Sequence, residues 1–221
     1  MTAAKALLKS GTASLPVSVS AVAAGFGIKL VDYNAFVQAY ELSKDELYGK
    51  ISYGGFSLIA EGRYVCVLNS GLCGQSRRKW TAAHEVGHVL CGHVNGTDPV
   101  THEQEREADR FAAELLAPLT VLQFCGVSSV LEIERLCGIS RQAASARFNE
   151  LSVLRRTDES RFTNAIRNGE APPESIFLQT EENRELFRWF SPFITSYITR
   201  RSAHDGYGKY LEMKSRERMA I

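Results

Sequence analysis

Apolar residues recur along the chain with two different periods, and each period predicts a different kind of element. Phe56 to Ala60 and Tyr64 to Leu68 are β-rich runs of alternating character, and the Glu61-Gly62 pair between them is typical of a hairpin turn. Ile28 to Val31 is predicted to be a further strand. Before and between these strands the sequence predicts short helical or turn segments at Ala3 to Lys9, Pro16 to about Gly25, Tyr33 to Tyr40 and Lys44 to Tyr48.

Helical periodicity dominates after the hairpin. Lys79 to Leu90 is predicted to be a helix, and Thr101 to Leu116 is a second segment rich in helix formers, ended by Pro118. One face of the second segment is apolar at helical spacing and is expected to pack inward. The predicted fold class is therefore α+β, with a small sheet, a helix pair and then further helices. The inward-facing residues are Ala108, Phe111, Ala112, Leu115 and Leu116.

The region that follows is predicted to divide into two helical parts. Leu131 to Leu151 has helix-turn-helix spacing, with a turn at Cys137-Gly138 and with Ser140 able to cap the next helix. Arg155 to Arg161 is charged and is predicted to be a linker, and Pro172-Pro173 breaks the chain again. These boundaries predict a main domain over residues 1–125, a helix-turn-helix-like segment over 126–156 and a C-terminal helical extension over 157–221.

The C-terminal extension concentrates aromatic residues. Its helical pattern runs from Glu181 to Phe190, is interrupted at Ser191-Pro192 and resumes from Phe193 to Arg201. The cluster either packs the extension against the main domain or forms a surface for a partner or a dimer. The cluster contains Phe187, Trp189, Phe190, Phe193, Ile194, Tyr197 and Ile198.

Charge and composition narrow the function classes. The chain of 221 residues has a net charge of +1, and between Glu132 and Glu170 seven Arg face six Asp or Glu, so direct DNA binding is not expected. The five cysteines include no C-x-x-C pair, and neither a disulfide framework nor a cysteine zinc site is indicated. Since no run approaches the roughly 18 apolar residues of a membrane span and the N-terminus lacks a secretory pattern, a cytoplasmic protein is predicted.

The run His84-Glu85-Val86-Gly87-His88 carries the clearest chemistry. It reads H-E-x-x-H and lies inside the first helix of the predicted pair. Residues four apart share one face of a helix, so the two imidazoles can bind one Zn²⁺ from the same side. Glu85 is not needed as a ligand and is placed to accept a proton from a water molecule at the metal. The alternative interpretation is a surface helix that happens to carry two histidines.

Catalytic zinc keeps three protein ligands, so a third ligand is required. A third histidine in the pattern H-E-x-x-H-x-x-G-x-x-H fails, because Val94 stands at its last position and His93 is one residue short. On the second helix Glu105 is the predicted ligand, four residues before Asp109. Asp109 would accept an N–H from a ligating histidine, the alternative being a solvated helix charge. Glu107 points about 200° away around the helix and is the reserve ligand.

These motifs resemble the ImmA/IrrE family of metallopeptidases. H-E-V-G-H followed by Glu105 to Pro118, EREADRFAAELLAP, matches the family's H-E-x-G-H and E-x-E-A-[ND]-x-F-A-x-x-L-L-x-P patterns nearly in full, with Ala117 in place of a common Met. Arg77 to Thr81 resembles the lead-in to the metal helix, and Gly138 to Leu151 resembles the family's final segment. The resemblance covers roughly Leu15 to Leu154.

The resemblance implies an intracellular, thermolysin-like, zinc-dependent endopeptidase with a zincin-like helix pair and one Zn²⁺ per chain, Mn²⁺ being possible. Several such proteins act on a nearby-encoded repressor of the helix-turn-helix type, and cleavage relieves repression of a mobile element or a stress response. Two alternatives remain open: a metal-bearing regulator that acts on its partner without cleavage, and one half of a toxin-antitoxin module. In thermolysin-like enzymes an edge strand pairs with extended substrate, and Tyr64 to Leu68 is the predicted edge strand.

Overall fold

The sheet is built around the predicted hairpin. The computed structural model describes residues 1–39, 54–69, 71, 74–95 and 99–219, with side chains described as far as residue 202. Strand β2 (Gly55–Ala60) and strand β3 (Arg63–Leu68) pair antiparallel, and both Glu61 and Gly62 at their turn have positive φ. Strand β1 (Lys29–Asp32) pairs parallel with β3. The hairpin is therefore confirmed, and the first strand is shifted by one residue from its prediction.

The strand order corrects the predicted edge. It is β1-β3-β2, so Tyr64 to Leu68 lies in the central strand and is hydrogen-bonded on both sides. Within the described residues β1 and β2 are the two edge strands, each paired only with β3. The prediction was wrong because alternation along a strand reports which face is buried and carries no information about its neighbours. The side chains of Val65, Cys66 and Val67 are almost wholly buried, as suits a central strand.

The other regular elements of the described chain are helices and one 3₁₀ turn. Helix α2 begins at Val19 and not at Pro16, because Ser18 caps it by accepting a hydrogen bond from the amide of Ala21. The predicted segment Lys44 to Tyr48 lies outside the described residues. The helices are α1 (Ala3–Lys9), α2 (Val19–Gly25), α3 (Tyr33–Ala39), α4 (Gln75–Cys91), α5 (His102–Leu116), α6 (Leu119–Phe124), α7 (Val130–Cys137), α8 (Arg141–Arg167), a 3₁₀ turn (Ile176–Leu178) and α9 (Glu181–Met219).

Helices α4 and α5 pack against each other at very short range. A Cβ atom added to Gly87 would lie 3.1 Å from Cδ1 of Phe111 and 3.3 Å from the carbonyl oxygen of Ala108. The glycine in α4 and the alanine in α5 thus let the two backbones meet at the level of the H-E-x-x-H run. A capping box at Thr101 and Gln104 defines where α5 begins. The five apolar residues predicted to face inward on α5 are all buried.

The helix-turn-helix prediction is confirmed at its turn. Helix α7 ends at Cys137, Gly138 adopts the left-handed conformation, and Ser140 caps α8 through the amide of Ala143. The unit is attached to α5 by Arg147, which is 6% exposed. Its guanidinium donates to the carbonyl oxygen of Ala117 at 2.7 Å and pairs with the carboxylates of Glu114 and Glu150.

The predicted linker is wrong, because α8 runs without a break through Arg155 to Arg161. Arg155 donates to the side chain of Gln123 at 2.6 Å and to the carbonyl of Val127 at 2.8 Å. This charged side chain therefore joins α8 to α6 and to the residues that follow α6. Pro172-Pro173 does separate α8 from the 3₁₀ turn, as predicted. The division of the chain into three domains remains a prediction.

The expected interruption at Ser191-Pro192 is also wrong. Helix α9 continues through Pro192, since Leu186, Phe190 and Ile194 on both sides of it are buried in the main core and hold the helix together. Most of the aromatic cluster therefore packs against the main domain, with Trp189 and Ile198 still exposed. None of the described helices combines the length and apolar character that a bilayer crossing demands.

Candidate metal centre

Helix α4 places the two histidines of the H-E-x-x-H run one turn apart on the same face. Their Nε2 atoms face each other at 2.9 Å. The side chain of His88 is 6% exposed and that of His84 is 16% exposed, so one ring lies inside the protein and the other at the wall of the site. This is the arrangement expected from the spacing of the two residues.

Helix α5 brings Glu105 to both rings. Oε2 of Glu105 lies 3.2 Å from Nε2 of His84, and Oε1 lies 3.6 Å from Nε2 of His88. Ligands bound at about 2.0–2.1 Å to one tetrahedral zinc ion lie about 3.3 Å from one another, so these three separations bracket the expected value. His84, His88 and Glu105 form a group able to hold a metal ion.

The hydrogen bonds at the far sides of the rings favour a cation at this group. Nδ1 of His84 lies 2.9 Å from Oδ1 of Asp109, and since a carboxylate only accepts, the proton of His84 is on Nδ1. Burial, and then the neighbouring His84 and His93, lower the pKa of His88 to about 4, so this ring is neutral. The Nε2 atoms of both rings turn toward each other and toward the carboxylate of Glu105, an arrangement that fits a cation shared between them.

Glu85 lies beside this group and outside it. Its side chain is buried, and Ser57 on β2 donates a hydrogen bond of 2.7 Å to Oε2. Burial raises the pKa of Glu85, with the Ser57 hydrogen bond and the charge of His84 acting in the opposite direction. The carboxyl group is thus held in one orientation next to the histidines with its second oxygen uncommitted to Ser57, as a proton acceptor requires.

Two residues of β2 that the sequence did not single out shape this position. Ser57 also lies 3.2 Å from the backbone carbonyl of Glu85, which fixes the strand against α4. A Cβ atom on Gly55 would lie only 2.8 Å from Cγ2 of Thr81 and 3.2 Å from Cγ of Glu85, so the close approach depends on glycine. The available signal was a small polar residue and a glycine within an otherwise apolar strand.

Comparison with known families agrees with this geometry. The sequence model of the Peptidase_M78 family, described as the IrrE N-terminal-like domain, matches residues 45–149. This part of the chain is therefore similar to the IrrE N-terminal-like domain of the Peptidase_M78 family. The resemblance to the ImmA/IrrE family and the α+β fold are both confirmed, and the match supports a metallopeptidase-type function. None of the curated proteins searched matches the chain.

Glu107, the predicted reserve ligand, does not join the group formed by His84, His88 and Glu105. Glu107 turns to His93 instead, with Oε2 at 3.1 Å from Nε2 of that ring. Cys91, His93 and Glu107 form a neighbouring cluster whose donor atoms lie within 4.8 Å of one another. The sequence pattern excludes His93 as a third ligand, because it lies one residue short of the required spacing, and in the structure its ring neighbours His88.

A groove of about 590 Å³ opens beside Asp109, between the helix pair and α8. Its lining is largely apolar, contributed by Trp80, Leu116 and Ile139 among others, and Arg147 is also part of its wall. The groove begins one helical turn before His84, because Trp80 precedes that residue by four positions on α4. It is the kind of depression that accepts an apolar side chain.

Proposed function

We propose that this protein is a zinc-dependent endopeptidase. The observation that carries the proposal is the convergence of His84, His88 and Glu105 with a buried carboxylate, Glu85, that is held beside them by Ser57. A structural zinc site closes with four protein ligands, whereas three ligands and an adjacent proton acceptor are the composition of a hydrolytic site. The residue types are also those that suit zinc, with Mn²⁺ as the alternative.

The bound metal would act as a Lewis acid, making a water molecule more acidic and polarising the carbonyl of the scissile peptide. His84, His88 and Glu105 would hold it, and Asp109 orients the ring of His84 through the hydrogen bond at Nδ1. Glu85 takes up the proton of the attacking water on its carboxylate and passes it to the leaving amine. Ser57 keeps that carboxylate aimed at the site throughout.

Strand β2 supports an endopeptidase that binds its substrate as an extended chain. Its outer edge is unpaired within the described residues, and through Ser57 it lies directly against the helix that carries Glu85. A peptide that adds to this edge would run past the metal centre, with backbone hydrogen bonds providing affinity. The groove beside Asp109 would then accept an apolar side chain of the same peptide.

We further propose that the substrate is a transcriptional repressor of the helix-turn-helix type, cleaved in the cytoplasm to relieve repression. This follows the resemblance to the ImmA/IrrE family. The mixed charge of the region from Glu132 to Glu170 supports a protein partner and not DNA, since seven Arg are balanced by six acids.

Co-expression with the repressor encoded beside this gene tests the proposal. Wild type and Glu85→Gln are compared by intact-mass analysis of the repressor and by zinc content of the purified protein. We expect a single cut with wild type and none with Glu85→Gln, at equal zinc content. Relief of repression by both proteins without any cut would instead support a regulator that acts by binding.

A further inference from the structure

The ring of His93 lies next to His88, the more deeply buried of the two histidines proposed to bind the metal. Its side chain is 5% exposed, and its Nδ1 lies 3.1 Å from Nδ1 of His88. The opposite nitrogen of the ring, Nε2, lies 3.1 Å from Oε2 of Glu107. His88, His93 and Glu107 thus form a continuous chain of contacts that begins at the metal centre and ends at a carboxylate on α5.

The end of α4 produces this arrangement. Gly92 adopts the left-handed conformation with φ of 80°, which turns the backbone out of the helix. The amide of His93 then donates to the carbonyl oxygen of His88 at 2.9 Å, so the two residues are joined through their backbones as well as their rings. His93, which follows the helix, is thereby folded back next to His88.

The protons of the three groups can be assigned from their donor and acceptor capacities. When Nε2 of His88 binds a metal, its proton must be on Nδ1, and the ring nitrogen facing it belongs to His93. Nδ1 of His93 must then accept, which puts the proton of His93 on Nε2. That proton faces the carboxylate of Glu107, an obligate acceptor when ionised. Each donor meets an acceptor only in this one assignment.

We propose that His93 and Glu107 act as positioning residues for His88, resting on the proposed zinc site. We call these two residues the support pair. Asp109 performs the corresponding task for His84 directly, with a contact of 2.9 Å. His88 lies deeper, so the carboxylate of Glu107 is connected to it through the imidazole of His93. Outer hydrogen bonds of this kind fix the tautomer and ring orientation of a ligating histidine and raise its basicity.

The same assignment argues against a second metal ion on Cys91, His93 and Glu107 while the first is bound. A metal on Nε2 of His93 would move the proton of that ring to Nδ1. Two N–H groups, one on His93 and one on His88, would then face each other at 3.1 Å. We therefore expect one zinc ion per chain and expect Cys91→Ala to leave zinc binding unchanged.

Zinc affinity of the full chain tests the support pair, measured by competition with a fluorescent chelator. His93→Phe keeps a ring but removes both nitrogens, and we expect it to weaken zinc binding about 10- to 100-fold. His93→Gln restores an acceptor and a donor and should recover most of the loss. The visible spectrum of the Co²⁺-loaded protein should shift in His93→Phe, since the spectrum reports the ligand geometry.

Glu107→Ala provides a variant that does not disturb the core, because its side chain is 50% exposed. We expect weaker zinc binding here too, with a smaller change than in His93→Phe. The matched control is Glu103→Ala, one turn earlier on the same helix, whose carboxylate pairs with Arg106 and Arg110 and bonds to no histidine among the described residues. It should bind zinc like wild type.

Wild-type zinc affinity and an unchanged Co²⁺ spectrum in Glu107→Ala and in folded His93 variants would overturn the support pair while leaving the proposed zinc site intact. Binding of two zinc ions by wild type, with the second lost in Cys91→Ala, would overturn it in favour of a second metal site. Failure of wild type to bind any zinc would contradict the proposed function itself and with it the role of the pair.

Discussion

Ser57 on β2 donates a hydrogen bond of 2.7 Å to the carboxylate of Glu85 on α4. The contact joins the sheet to the helix at the one acid that would move protons. It links a strand edge suited to binding an extended peptide with the group that would act on that peptide. In the proposed function, substrate alignment and proton transfer would fall on two elements that this hydroxyl group helps to join.

Ser57→Ala is expected to reduce turnover without releasing the metal. The hydrogen bond to an ionised carboxylate is worth about 1.5–3 kcal/mol, and loss of a comparable part of it in the transition state lowers kcat about tenfold or more. Steady-state cleavage of the substrate gives kcat, and zinc content gives occupancy. Ser152→Ala, which removes a hydroxyl bonded to the carbonyl of Phe148, is the control. Equal kcat in Ser57→Ala and wild type would contradict the role.

Asp109→Ala is expected to weaken zinc binding about 10- to 100-fold, because His84 loses the acceptor that holds its proton on Nδ1. The side chain of Asp109 is 56% exposed, so the apo protein should melt like wild type. Chelator competition measures the affinity, and calorimetry of the apo protein checks the fold. Unchanged affinity would show that Asp109 is only a solvated charge of the helix.

Arg147→Met is expected to destabilise the protein by about 2–4 kcal/mol. The change removes the Arg147 partner of Glu114 and of the carbonyl of Ala117. The loss of stability is smaller than for a fully buried ion pair, because Glu114 is one third exposed. Urea denaturation gives the free energy of unfolding. Arg141→Met serves as the control, since this exposed side chain makes a single ion pair among the described residues, with Glu134 at 3.7 Å, and its loss should change stability by about 0.5 kcal/mol at most.

Glu132 should make stability depend on pH through the contact of α7 with α9. Burial raises its pKa, but hydrogen bonds from Tyr197 and Ser128 and the charge of Arg201 outweigh burial and hold the pKa below the usual value of 4.5. A lowered folded pKa stabilises the protein above the unfolded pKa, and this stabilisation is lost as pH falls through the folded value.

Glu132→Gln removes that titration, so its stability deficit relative to wild type should be full at neutral pH and should shrink below about pH 4.5. Thermal melts of both proteins across this range provide the measurement. A deficit that stays constant from neutral to acid pH would show that the carboxylate does not titrate with folding.

Much of the secondary structure could be predicted from the sequence, because hairpin turns, helix caps and helix faces depend on residues close together in the chain. The β2–β3 hairpin follows from a turn pair between two alternating runs, and the turn between α7 and α8 follows from Gly138 and Ser140. The spacing of His84 and His88 places them on one face of α4 wherever that helix packs. The predicted alignment of Glu105 and Asp109 on α5 needed only the helical repeat.

Other features required contacts between residues far apart in the chain. Periodicity could not show that α8 continues through a charged stretch or that α9 continues through Pro192, because tertiary packing and hydrogen bonds stabilise both helices there. It also could not distinguish a central strand from an edge strand. The prediction that β3 forms the edge failed for that reason.

The sequence by itself determined the helix pair, the hairpin and the residue types able to bind a metal, since each is encoded within a few neighbouring positions. Only the tertiary structure decided which side chains surround those ligands. Ser57 meets Glu85 across 28 positions, and Glu107 meets His93 across 14. These contacts depend on how closely neighbouring elements pack. Gly55 allows β2 to approach α4, and Gly87 allows α4 to approach α5.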